Sequence, residues 1–274
     1  MEVIDFHTHP WLPRHLNAPT EAFIRRISPA VEEHGERLSE PCYAADVLRA
    51  QGVAHAVVLA EHCPATSGQV RSETVLEFCA AEPSFYIPFA SVDPTTDPDP
   101  PGLVRRYLEA GARGLKLYPS YQFFYPDDRR YYPIYAACAA AGAPVLVHVG
   151  SSVIPGTRLE FCDPIHLEPV ARDFPELQIV MAHGGRGHWY DRCARMVGEH
   201  DNVYIDVTGL VPARLLDHFP NLPAMADRVV FGSDWPAMPK SVAHNVTVIR
   251  GLGMDDMAVT RILRTNAQRL LGLA

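Results

Sequence analysis

Val3-Ile-Asp-Phe-His-Thr-His9 is an apolar run that ends in two imidazoles. In an extended strand, residues i and i+2 share a face. His7 and His9 are therefore a pair of candidate metal ligands at the end of a strand. The pair gains weight only if other strands end in further ligands.

Short runs rich in Val, Ile and Leu recur at residues 3–6, 56–60, 86–92, 114–117, 144–149, 178–182, 203–207 and 229–231. Several are apolar at nearly every position, as expected of strands buried on both faces in a parallel sheet. Helical patterns lie between them at residues 44–51, 73–81, 101–110, 133–141, 164–173, 189–199 and 213–219. Gly52 and Gly111 mark two of the helix ends. Residues 242–252 and 257–271 read as two closing helices. Eight strand–helix units predict an α/β chain, a (β/α)8 TIM barrel, as a single domain over residues 1–274. A doubly wound open sheet is disfavoured, because no GxGxxG follows the first strand.

Two connections are too long to be plain. Residues 10–41 follow strand 1 and begin Pro-rich; their pattern predicts a lid with one short helix near residues 21–27. Residues 119–132 follow strand 4 and carry Tyr121, Phe123, Phe124, Tyr125, Tyr131 and Tyr132. Both leave the barrel face where active sites lie, so they are expected to be lid-like insertions or pocket walls. An oligomer interface is the competing reading of the aromatics, and a homo-oligomer is compatible with either.

Composition narrows the partners. At 47% hydrophobic, the 274 residues can bury a large core. A net charge of −8 without a basic run gives no electrostatic support for nucleic acid. No apolar stretch approaches the roughly 20 residues needed to span a membrane, and no signal peptide is read at the start. The six cysteines are scattered without a CxxC pair, which points to reduced thiols, a cytoplasmic location and no cysteine-based zinc site. The expected partner is a small-molecule substrate.

The polar residues at strand ends carry the chemistry. His7 and His9 end strand 1, His148 strand 5, His183 strand 6 and Asp234 strand 8. One such histidine is ordinarily a hydrogen-bonded core residue. Four histidines and an aspartate at one rim are harder to dismiss, since a barrel brings strands 1, 5, 6 and 8 together. Nitrogen and carboxylate ligands suit one divalent metal, Zn²⁺ first, with Mn²⁺ or another divalent ion tolerated. With His7, His9, His148 and Asp234 as ligands, a position stays open for water, and His183 is free to act as acid, base or electrostatic partner. Asp234 doubles as proton acceptor.

Other residues rank lower. Lys116, near the end of strand 4, reads as a group that pairs with a carboxylate or binds an anionic substrate. Glu61 and His62 follow strand 2 and Asp206 ends strand 7, the last as a catalytic group or a structural hydrogen-bond partner. Arg186 or Arg158 is a candidate carboxylate clamp, and Tyr118 and Trp235 are candidate pocket walls that bind substrate.

Asp5-Phe-His-Thr-His9, Gly114-Leu-Lys-Leu-Tyr-Pro119, His148, the stretch Phe174 to Gly185, Asn202-Val-Tyr-Ile-Asp-Val207, Phe231-Gly-Ser-Asp-Trp-Pro236 and Asn266 to Leu271 follow one another in an order that resembles the amidohydrolase superfamily. Within it the chain is most similar to the amidohydrolase-2, or ACMSD-like, family. The resemblance implies a (β/α)8 barrel with one divalent metal, usually zinc. It makes His7, His9, His148 and Asp234 ligands and His183 the catalytic histidine. It also implies hydrolysis of a small lactone, ester or amide, or else decarboxylation of a small unsaturated or aromatic acid. The compactness of the chain favours hydrolysis, since decarboxylases of the family tend to be longer. A non-catalytic barrel that binds a metal or ligand is the third reading, and the presence of all five site residues argues against it.

Overall fold

The computed structural model describes residues 2–273. Eight strands form one sheet in the order of the sequence: β1 (Val3–Thr8), β2 (Val53–Leu59), β3 (Tyr86–Ser91), β4 (Gly114–Leu117), β5 (Val145–His148), β6 (Ile179–Ala182), β7 (Val203–Asp206) and β8 (Val229–Val230). Every neighbouring pair is parallel. The ring closes just beyond β8. Phe6 N donates to Phe231 O at 2.9 Å, Asp234 N to His7 O at 2.9 Å and His9 N to Trp235 O at 2.7 Å. The expected (β/α)8 barrel is present, with all eight strands where the apolar runs put them.

The interior has an apolar lower half. Ile4, Phe6, Leu59, Phe89, Leu146 and Val180 form a buried cluster within the ring. Phe6 and Phe89 meet edge to face with ring centroids 5.6 Å apart. Leu270 and Leu271 of the final helix join this cluster and plug the end of the barrel that faces away from the site. Outward-facing strand residues such as Val58, Leu115, Val147 and Ile205 pack into the larger cluster shared with the surrounding helices.

Alternation along a strand should place Phe6 and His7 on opposite faces. Phe6 nevertheless lies in the interior cluster, and His7 lines the cavity above it. The register between β1 and β2 shifts between Asp5 and Thr8, where three steps along β1 match two along β2. One extra residue of this kind re-aims side chains. The bulge lets β1 supply both a core phenyl and a site imidazole.

The connections differ in detail from expectation. The segment after β1 carries two helices, Ala18–Ile27 and Pro29–His34. They break at Ser28, whose hydroxyl accepts from Val31 N at 3.1 Å and caps the second. The chain after β2 makes an unforeseen antiparallel hairpin, Glu61–Cys63 with Gly68–Val70. After β4 comes a short helix, Pro119–Gln122, ended by Phe123 at φ 60°. The closing pattern at 257–271 is divided into Asp256–Thr260, a π-helical turn Arg261–Thr265, and Asn266–Leu271.

Candidate active site

The C-terminal ends of the strands open on a cavity of about 370 Å³. His7, His9, His148, His183, Asp234, Lys116, Arg186, Tyr118 and Glu61 all line it. Trp11, Phe23 and Ile24, from the segment after β1, form part of its wall.

Three side chains converge most closely. Nε2 of His7 and Nε2 of His9 both lie 3.5 Å from Oδ1 of Asp234. One ligand atom from each of the three falls within 4.8 Å of the others. The turn that carries Asp234 is fixed on both sides by the closing hydrogen bonds to β1. Asp234 itself sits at φ 69°, a left-handed conformation that non-glycine residues seldom adopt. His183, in the same region at φ 63°, is the second such residue in the site.

The imidazoles are held by partners behind them. Nδ1 of His7 lies 2.6 Å from Oδ2 of Asp206, at the end of β7. A carboxylate accepts, so Nδ1 carries the proton and the lone pair of Nε2 points away from Asp206. Nδ1 of His183 donates to the carbonyl of Thr208 at 3.0 Å, which leaves its Nε2 as an acceptor. The hydroxyl and amide of Thr208 both donate to Oδ1 of Asp206. One hydrogen-bonded chain therefore ties His7 to His183 through Asp206 and Thr208.

His148 stands slightly apart. Its ring centroid is 4.6 Å from that of His183 and 4.9 Å from that of Tyr121. It does not share the three-way convergence of His7, His9 and Asp234. Its Nε2 is buried without a hydrogen-bond partner.

Lys116, on β4, is fully buried, and its Nζ also has no hydrogen-bond partner. The ammonium sits 4.9 Å from the centroid of the Tyr118 ring. The Tyr118 hydroxyl is turned back to the carbonyl of Ala60 at 2.9 Å, so the residue serves as wall and floor. Arg186 is anchored by two donations to the carbonyl of Ser151, from Nε at 3.0 Å and Nη2 at 2.8 Å. Its Nη1 lies against Gly209 (φ 67°), where a Cβ would stand 2.5 Å away.

Burial sets the protonation states. His7, His148 and His183 are pushed well below the ordinary imidazole range, first by desolvation and then by the cations Lys116 and Arg186. Neutral imidazoles are the form a metal binds. Burial alone would raise the Asp234 carboxyl, but the close approach of His9, with His7 and Arg186 nearby, holds it below the ordinary carboxylate range. Burial pulls the Lys116 ammonium down to about 8, against the opposing pull of Asp206 and Asp234.

These residues fit a divalent ion. Imidazole nitrogens and one carboxylate oxygen converge, and the buried Nε2 of His148, an imidazole nitrogen, lacks a hydrogen-bond partner among the described residues. Unsatisfied groups of this kind are costly in a folded protein unless something else meets them.

Several sequence expectations are placed elsewhere. Trp235 does not line this cavity; its indole lines a separate groove with Pro29, Ala30 and Val47. The chain reverses there on its way out of the Asp234 turn, which a strand-end count does not foresee. The Arg158 guanidinium lies 4.3 Å from the Phe123 ring and lines no part of the cavity. His62 is engaged by the Gln69 side chain at 2.9 Å, within the hairpin. Asp206 has the structural role behind His7. Sequence reading missed Thr208, and also Asp5, whose carboxylate accepts from Ser233 N at 2.9 Å. An aspartate inside an apolar strand was the available signal for the latter.

Comparison with known proteins agrees with this architecture. The model of the amidohydrolase family (Amidohydro_2) matches residues 4–273. An uncharacterised TIM-barrel protein from Bordetella bronchiseptica, Bb4693, superposes with a TM-score of 0.82 at 24% identity, over 99% of both chains. A 5-carboxyvanillate decarboxylase from Novosphingobium aromaticivorans, solved with bound manganese, gives 0.72 at 17% identity, over 99% of this chain and 97% of that one. A probable 2-pyrone-4,6-dicarboxylic acid hydrolase from Acinetobacter baumannii gives 0.63 at 15% identity, over all of both chains. No curated protein matches this sequence. The structural likenesses speak for the fold, and the family model spans nearly the whole chain: the protein belongs to the amidohydrolase family of enzymes.

Proposed function

We infer that this chain is a metal-dependent hydrolase of a small carbonyl substrate, a lactone, ester or amide. The observation that carries the reading is the single carboxylate oxygen of Asp234, 3.5 Å from Nε2 of both His7 and His9 and open to the cavity. His7, His9 and Asp234, with His148, would hold the ion, zinc first and manganese as the alternative. When bound, it would supply Lewis acidity to water and carbonyl.

The remaining roles belong to the chain. The ionised Asp234 carboxylate takes a proton from the attacking water and returns it to the departing oxygen or nitrogen as the acyl bond breaks. His183, with its proton on Nδ1, presents a bare Nε2 that orients the water or accepts a hydrogen bond from the substrate. Lys116 and Arg186 offer positive charge to a carboxylate or to the developing oxyanion. Tyr118 and Tyr121 shape a wall for a flat or cyclic substrate. The segment after β1 serves as a lid, and six free cysteines suit a cytoplasmic location.

A second reading, non-oxidative decarboxylation of a small aromatic or unsaturated acid, is favoured by the two cations beside aromatic walls. The length argument against it is weak, since the match extends over 97% of the 5-carboxyvanillate decarboxylase. A panel of lactones, esters and aromatic acids offered to zinc- and manganese-loaded protein separates the two. Ring opening or ester cleavage is expected. Release of CO2 without hydrolysis overturns the first reading, and no turnover on any member, with His7→Ala indistinguishable, would favour a binding barrel.

A further inference from the structure

A second chamber of about 290 Å³ lies beside the catalytic cavity, between the segment after β7 and the helix Val242–Arg250. Its lining is largely apolar: Val207, Leu210, Leu215, Phe231 and Ile249 are buried, and Val248 is half-buried. Of its polar lining residues, Lys240, His244 and Asn245 are exposed or half-exposed, and Ser233 is buried. The two cavities have four wall residues in common: Gly209, Ser233, Met238 and Pro239.

That shared wall is thin for physical reasons. Gly209 adds no side chain to it, and cannot, because a Cβ would press on Arg186 Nη1 at 2.5 Å and His183 Nδ1 at 3.3 Å. Ser233 is small, and its hydroxyl is engaged, accepting from Trp235 N at 2.9 Å. Of the other two shared residues, Pro239 is exposed, and the buried part of the barrier is the side chain of Met238, unbranched and readily re-packed. The chamber is about twice the size of a 150 Å³ apolar cavity able to hold benzene.

We propose that this chamber is a second substrate subsite, which takes an unbranched alkyl or phenyl substituent, with Met238 as the movable partition that sets how long that substituent can be. The proposal rests on the catalytic cavity being the site of the reaction. Under it, the carbonyl end of the substrate stays with Asp234 and Arg186, and the apolar end passes Met238.

Calorimetric titration of the metal-loaded protein with acetate, butyrate and hexanoate tests it without turnover. Each methylene that reaches the chamber should tighten binding about fourfold, so hexanoate should bind roughly 16-fold more tightly than butyrate. Val248→Phe fills the chamber from the helix side and should erase that increment. A crystal of the unaltered protein with 4-phenylbutyrate should show the phenyl ring between Leu210 and Ile249, which decides the matter even if the variant fails to fold. A flat chain-length series, an increment that survives in a well-folded Val248→Phe, or a phenyl ring outside the chamber overturns the proposal. Hydrolysis failing on every substrate would leave these binding results untouched, so the two readings fail separately.

Discussion

The two halves of the barrel interior are built from the same strands and obey opposite rules. Below, Ile4, Phe6, Phe89 and Val180 are buried with other apolar groups, and contact alone satisfies them. Above, β1, β4, β5 and β7 end in His7, Lys116, His148 and Asp206, just as deeply buried and polar. There Lys116 Nζ and His148 Nε2 have no hydrogen-bond partner among the described residues. The lower half contributes stability through area removed from water. The upper half bears a desolvation cost that only a bound ion or substrate would offset. The difference teaches that one set of strands can divide folding from chemistry along its length, so the two should fail independently when perturbed.

The sharpest way to break that division is His7→Ala. Turnover and metal content should fall by more than the about 10–100-fold that loss of an outer hydrogen-bond partner usually costs. The thermal melt should stay near that of the parent, and a variant that unfolds would make the metal structural and the division false. Phe89→Ala should do the reverse. It removes a fully buried ring from the lower cluster and should cost about 3–5 kcal/mol in denaturant unfolding, with metal affinity of the folded fraction unchanged.

A subtler probe is Asp206→Asn, which keeps the shape but weakens the acceptor behind His7 Nδ1. Metal affinity measured by competition with a chelator should drop about 10–100-fold. The smallest effect is expected from Lys116→Met, which should raise stability by about 1–2 kcal/mol at neutral pH by removing a buried, unpaired ammonium. The sign of its pH dependence is fixed. Folding lowers the Lys116 pKa from 10.5 to about 8, so the unfolded chain holds the proton more tightly. The burial penalty is full below about pH 8 and fades as pH rises towards 10.5. The advantage of Met should shrink over that window in parallel melts, and an advantage independent of pH would show that folding leaves the Lys116 pKa where it is in the unfolded chain.

How far the sequence could be read follows from the same division. Strands buried on both faces announce themselves as Val, Ile and Leu runs, so all eight were found. His7, His9, His183 and Asp234, which line one cavity, stand out in the sequence because a polar residue that ends such a run violates its pattern. The bulge in β1 was not readable, because an extra residue in a strand leaves no mark on composition. Nor was the hairpin at Glu61–Cys63, which is three residues to a strand. Pocket wall and ordinary packing could not be told apart for Trp235 from sequence, because its neighbour Asp234 turns the backbone through a left-handed conformation and Trp235 lines a separate groove. The bond from Thr208 O to His183 depends on a carbonyl, and every residue has one.

The closure of the ring has a consequence for how the molecule comes into being. Asp5 reaches Ser233, 228 residues later in the chain, and His7 and His9 meet Asp234 across the same seam. During synthesis the first strand leaves the ribosome long before the last. Until β8 docks, His7 and His9 lack the Asp234 carboxylate that would complete the proposed ligand set, and the extended N-terminal strand has one open edge. Under the proposed ligand set, tight capture of an ion would wait for the final turn of the barrel. A truncated or half-made chain would hold metal weakly, and metal retention would itself report that the whole ring has formed.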